Sequence, residues 1–100
     1  MKESSYLIVY DIDTTSDATV GNRSHTQVYN DLYAAIKGYG TWAKITESCW
    51  AVVSSKPAVQ IRDEIAAVLR SCDKIFVVQS AHIAAWRNVL CSNEWLKEYI

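Results

Sequence analysis

Two carboxylates at the end of an apolar run are the first residues whose types and spacing could do chemistry. In "YLIVYDID", residues 6 to 13, Asp11 and Asp13 stand two positions apart where the run stops. An Asp in that place bonds nearby backbone amides and turns the chain, or it is held out for a ligand. Both readings stay open for Asp11, while Asp13 reads first as a turn former and second as an auxiliary ligand. Arg23 precedes a helix cap, where it either contacts phosphate or is solvated. His25, in the first turn of that helix, is a proton shuttle near neutral pH or a surface residue, and His82 has the same two readings. Cys49, Cys72 and Cys91 are odd in number and show no CxxC spacing. With only two histidines to join them, they argue against a structural metal site and suit small buried thiols in a reducing compartment. No phosphate-cradling loop, dinucleotide fingerprint or Ser-His-Asp set is present; "TVGNR" holds a single Gly.

The elements that must position these residues follow from periodicity. "SSYLIVYDI" is β-branched and aromatic, a first strand. "DTTSDATVGNR" (13 to 23) is a polar loop. Ser24 with Gln27 makes a capping-box pattern, and Val28, Leu32, Ala35, Ile36 and Tyr39 then recur at helical spacing. Gly38 and Gly40 close that helix. "TWAKITESCWAVVSS" reads as a hairpin turning around Glu47. A second helix begins near Pro57, with Ala58, Ile61, Ile65, Val68 and Leu69 as its apolar face, and "DKIFVVQS" is the fourth strand. Ser92 caps a short final helix carrying Leu96, Tyr99 and Ile100, while residues 81 to 91 fit a loop, a helix or a fifth strand.

The order βαββαβ with right-handed crossovers gives a ferredoxin-like α+β sandwich: a four-stranded antiparallel sheet with two helices on one face. The chain of 100 residues is one domain, with its core in 5–80 and a C-terminal extension in 81–100. Half of it is apolar, which excludes disorder, and the net charge of −1 excludes a global basic field for nucleic acid. The first apolar run is too short for a signal peptide or a membrane span, so a soluble cytoplasmic protein is expected.

A sheet covered on one face should alternate apolar with polar, and these strands do not. Leu7 and Val9 oppose Tyr6, Ile8 and Tyr10; Cys49, Ala51 and Val53 oppose Trp50 and Val52; Phe76 and Val78 oppose Ile75 and Val77. The second apolar face needs a cover. A two-fold partner presenting the same face supplies one, giving a homodimer; the tail, through Trp86 and Trp95, supplies the other. An RNA-recognition module would put aromatics such as Tyr6, Tyr10 and Trp50 on strands one and three, but the basic and glycine residues of its strand-three motif are missing from "SCWAVV". Packing is the better account of those rings.

"YDI" closing strand one, then "YGTWAKITESCWAV", "IRDEI" and "DKIFVV" resemble the small CRISPR-associated Cas-two family, and more closely its stand-alone SinR-like neighbours. The resemblance spans most of residues 5 to 80 and implies a ferredoxin-like homodimer. In that family the Asp ending strand one faces its symmetry mate and holds a divalent metal for cleaving RNA or DNA phosphodiesters. The matching position here is Asp11. Mg²⁺, or Mn²⁺ in its place, takes carboxylate and water oxygens with few protein ligands, so one Asp per chain suffices when a dyad supplies the second. VapD-like ribonucleases use the same architecture. Other family members are adaptors beside an integrase, and a non-catalytic dimeric binding module is the alternative reading. The loop from 13 to 23, with Arg23 its one basic residue, and the partly helical tail depart from the integrase-bound members and count against an integrase partner.

Overall fold

The computed structural model describes residues 3–13 and 24–100. Seven elements follow in the order β1 (Ser4–Asp11), α1 (His25–Lys37), β2 (Trp42–Thr46), β3 (Cys49–Ser54), α2 (Ala58–Ala66), β4 (Lys74–Gln79) and α3 (Asn93–Tyr99). The strands form one sheet in the order β2-β3-β1-β4, every neighbouring pair antiparallel. This is the ferredoxin-like α+β arrangement expected from the sequence. No helix among the described residues is long and apolar enough to cross a membrane.

The core lies between the sheet and the first two helices. Tyr6, Ile8 and Tyr10 of β1 and Trp50 and Val52 of β3 meet Val28, Leu32 and Ile36 of α1 and Ile61 and Ile65 of α2. Ile8, Leu32, Ile36, Ile61 and Ile65 are wholly buried. At about 1.5–3 kcal/mol for each such side chain, burial of this group dominates the stabilisation. Two buried polar side chains are satisfied locally: Trp50 Nε1 donates to Tyr10 Oη at 3.0 Å, and Tyr10 Oη donates to the carbonyl of Glu47 at 2.9 Å. The Tyr10–Trp50 aromatic pair therefore serves the interior and the β2–β3 turn.

Local signals act as their chemistry requires, with three differences. Ser24 Oγ accepts from the backbone of Gln27 at 3.3 Å, but the Gln27 side chain turns forward to Asp31 (2.9 Å), so the capping box closes on one side. Gly40, not Gly38, takes the left-handed conformation after α1, with φ of 89° against −64°. The second helix stops at Ala66, so Val68 and Leu69 fall in the turn that follows it, from which Leu69 packs against the core. Pro57 stands at its N-cap.

The extension settles the open question about residues 81 to 91: they are irregular, with His82 and Asn88 at positive φ. Ser92 Oγ caps α3 by accepting from Trp95 N–H at 3.1 Å. The path is pinned at both edges of the sheet. Ser80 N–H donates to the Ser5 carbonyl at 2.8 Å, and Leu90 N–H donates to the Ile45 carbonyl at 2.9 Å. Ile45 falls where the β2–β3 register shifts, and such a bulge releases a backbone group from the ladder. From there α3 lies back across the face opposite α1 and α2: Leu96 is buried, and Ser5 Oγ donates to the carbonyl of Tyr99.

Candidate functional site

Side-chain alternation along β1 places Ser5, Leu7, Val9 and Asp11 on the face away from α1 and α2. In register beside them stand Val78, Phe76 and Lys74 of β4 and Ala51 and Cys49 of β3. The extension covers part of this face. Ala43, Ala51 and Val53 are buried, whereas Val9 and Val78 are each 38% exposed and Phe76 is 62% exposed. The bare part is thus an apolar strip on β1 and β4 with Asp11 at one end and Lys74 directly across from it.

Asp11 is exposed, and among the described residues it accepts no hydrogen bond and joins no ion pair. It is the last residue of the strand, but it does not turn the chain by bonding its own backbone. Asp13 is in a different environment. Its N–H donates to Asp73 Oδ1 at 3.0 Å, and its carbonyl accepts from Arg70 Nη2 at 2.6 Å. Asp13 is half-buried past the end of the strand, so the two carboxylates do not share a strand face. Arg23 and loop residues 14–23 lie outside the described residues. His25 is half-buried at the start of α1, and His82 Nδ1 lies 3.1 Å from the carbonyl of Ile100.

What holds Asp13 is an ion pair that neither the strand nor the helix pattern announces. Arg70 and Asp73 have fully buried side chains, joined through Nε to Oδ2 and Nη2 to Oδ1, both at 3.1 Å. Arg70 N–H adds a bond to Oδ2 at 2.9 Å. Burial alone would raise the Asp73 carboxyl; hydrogen bonds from the Arg70 guanidinium and from the backbone of Arg70 and Asp13 outweigh it and hold the pKa below the ordinary value. The pair clamps the chain two residues beyond Asp11 to the residue before β4. It fixes the end of β1 without consuming Asp11 itself. The only sequence signal was an Arg and an Asp three apart before "KIFVV"; their partner lies some sixty residues earlier, beyond any local pattern.

A second polar cluster ties the turn after α1 and the residues before α2 to α2 itself. Glu64 accepts from Tyr39 Oη at 2.5 Å and from Lys56 Nζ at 2.9 Å, and these two bonds hold its carboxyl down at about 2. Its donors and acceptors satisfy one another, which marks it as structural. The three thiols are free; burial raises Cys49, beneath the extension, and Cys91, within it. Neither is an activated nucleophile.

Among the described residues no group of three His, Cys, Asp or Glu side chains converges to hold a metal. On the bare strip of β1 and β4, Asp11 is the exposed carboxylate that a hard cation would meet, beside the Lys74 position. Comparison with known protein families, with curated proteins and with solved structures finds no match.

Proposed function

We propose that the chain acts as a homodimer joined through the bare half of the sheet face, and that paired Asp11 carboxylates at the dyad hold Mg²⁺ or Mn²⁺ for cleavage of RNA or DNA phosphodiesters. The observation that carries this reading is the position of Asp11: exposed, unconsumed, and on the same face as Val9, Phe76 and Val78. An apolar strip is what an isologous contact buries, and a residue at the end of such a strip meets its own copy when the axis passes nearby. Two carboxylates with water suit Mg²⁺, which keeps several waters in its shell. The cation would polarise a phosphoryl oxygen and supply a hydroxide nucleophile. Asp11 would bind it, the Arg70–Asp73 clamp would keep Asp11 in place, and Lys74 would draw in the phosphate. This is the reading to which the Cas-two-like resemblance also leads, including its cytoplasmic, stand-alone form.

A non-catalytic dimeric adaptor is the second reading, and Lys74 favours it. Opposite Asp11 in register, it could neutralise the carboxylates across the seam and leave no need for a metal. The deciding experiment is cleavage of a mixed RNA and DNA panel with and without Mg²⁺ or Mn²⁺, comparing wild type with Asp11→Asn. Metal-dependent cleavage that disappears in an intact Asp11→Asn dimer supports the nuclease. Wild type without cleavage leaves the adaptor.

A further inference from the structure

A stripe of aromatic and basic residues lies on the α1 side of the sheet, along α1 and the β2 edge, with only its Tyr29 end within electrostatic reach of Asp11. On α1, Tyr29, Tyr33 and Lys37 follow one another at four-residue spacing, one helical turn apart, beside the buried Val28–Leu32–Ile36 stripe. On β2, Trp42 and Lys44 are two apart and pair with Val52 and Trp50, which sets them on the helix side of the sheet. The rings form a continuous ladder: Tyr29 to Tyr33 at 5.8 Å between centroids, Tyr33 to Trp50 at 5.2 Å, and Trp50 to Trp42 at 5.4 Å. Trp50 is the buried floor, while Trp42 is 36% exposed and the two tyrosines are half-buried, with one side packed against the core.

The cations are seated on these rings. Lys37 Nζ stands 5.3 Å from the Trp42 centroid, and Lys44 Nζ stands 5.2 Å from Tyr33 and 5.8 Å from Trp50. Lys44 has one competing anion, Glu47 at 3.4 Å, whose side chain is 86% exposed. Such a surface pair is weak and readily exchanged for another anion. A core needs Trp50 and the inner edges of the tyrosines; it does not need exposed rings with ammonium groups alternating along them.

We propose that this stripe binds single-stranded nucleic acid, with bases stacked on Trp42 and Tyr33 and phosphates held by Lys37 and Lys44. Each ammonium leaves its ring for a phosphate, and the ring face it leaves takes a base. Sequence-tolerant binding by stacking and a small number of phosphate contacts is the chemistry this arrangement supports. It also answers how a chain of net charge −1 engages a polyanion: through a local patch whose rings contribute more than its charge. The inference does not depend on Asp11 or on cleavage.

The test is fluorescence anisotropy of labelled oligo-dT and oligo-U of about twelve nucleotides, in EDTA at low salt, with a duplex of the same length as control. Both single strands are expected to bind and the duplex much more weakly. Trp42→Ala should cost about tenfold or more in affinity and Trp42→Phe much less, with unchanged thermal melting as the check on folding. The Lys37→Gln/Lys44→Gln double variant should weaken binding and flatten the dependence of log K on log salt by about 1.4, two single-strand phosphate contacts. Asp11→Asn should bind as wild type, so failure of the nuclease reading leaves this result standing. Absence of single-strand binding, equal binding of duplex, or a folded Trp42→Ala that binds as wild type overturns the proposal. Loss of binding in Asp11→Asn also overturns it, by moving the strand to the opposite face.

Discussion

The two halves of the sheet face opposite α1 and α2 are both apolar and have different fates. Over β2 and β3 lie small side chains, Ala43 and Ala51, and the extension descends on them, burying Leu96 to 2% exposure. The Ser5 end of β1 is covered too, by α3 at Tyr99, but toward the Asp11 end of β1 and along β4 the side chains are larger, Val9, Phe76 and Val78, and they stay exposed. Small residues let a helix approach a sheet closely. Large ones in register, Val9 beside Phe76 and Leu7 beside Val78, make a raised apolar ridge that a single seven-residue helix does not span. One half is thus finished by the chain itself. The other is left bare by the chain, and Asp11 stands at its end.

If the halves differ in this way, damage to each should register in a different measurement. The largest effect is expected from Leu96→Ala, which removes the extension's buried anchor. Leucine-to-alanine changes at such sites cost about 2–5 kcal/mol, and a short terminal helix able to readjust places this one at about 2–3 kcal/mol. Urea unfolding should show the loss. Cys49 and Cys91, shielded in the wild type, should at the same time react faster with alkylating reagents. An unchanged thiol rate would mean that α3 does not depend on Leu96 for its seat.

Phe76→Asp acts on the bare half and should leave the folding stability of the monomer within about 0.5 kcal/mol, as for other exposed sites. Self-association through the proposed seam, followed by sedimentation velocity over a concentration series, should weaken at least tenfold, because a charge then enters an apolar contact. A Phe76→Asp variant that associates as wild type would erase the distinction between the halves.

The sequence disclosed the halves unequally, for physical reasons. The period-two pattern of β1 sorted Tyr6, Ile8 and Tyr10 from Leu7 and Val9 correctly, because a strand face is a local property. Ser24 and Ser92 marked their helices because a cap is made within three residues. Which half of the second face the extension would cover was not legible. It depends on the bulge at Ile45 and on positive φ at His82 and Asn88, residues that carry no glycine signal. The Arg70–Asp73 clamp was equally hidden, since Asp13 is its third member. At the candidate site, Asp11 was readable from "YDID" because its strand ended there; its exposure, and the different setting of Asp13, needed the fold. The aromatic stripe of α1 went unread because a buried stripe, Val28–Leu32–Ile36, already accounted for the helix.

The smallest effect expected is a few-fold change, and it decides what stands at the end of the bare half. In EDTA, two Asp11 carboxylates facing each other across the proposed dyad repel, and removing both charges relieves the repulsion. Asp11→Asn should then tighten self-association a few-fold at neutral pH. If each Asp11 instead pairs with Lys74 across the seam, the sign reverses, and Asp11→Asn weakens it. The fold tolerates the experiment. Asp73 and Glu64 both have lowered folded pKa values, so their stabilisation is fully present above the unfolded carboxylate values. It is lost only as the pH falls on through the lowered values, about 2 for Glu64. At neutral pH both clusters are intact, so the sign of the Asp11→Asn effect distinguishes a carboxylate pair waiting for a cation from a salt bridge that has no use for one.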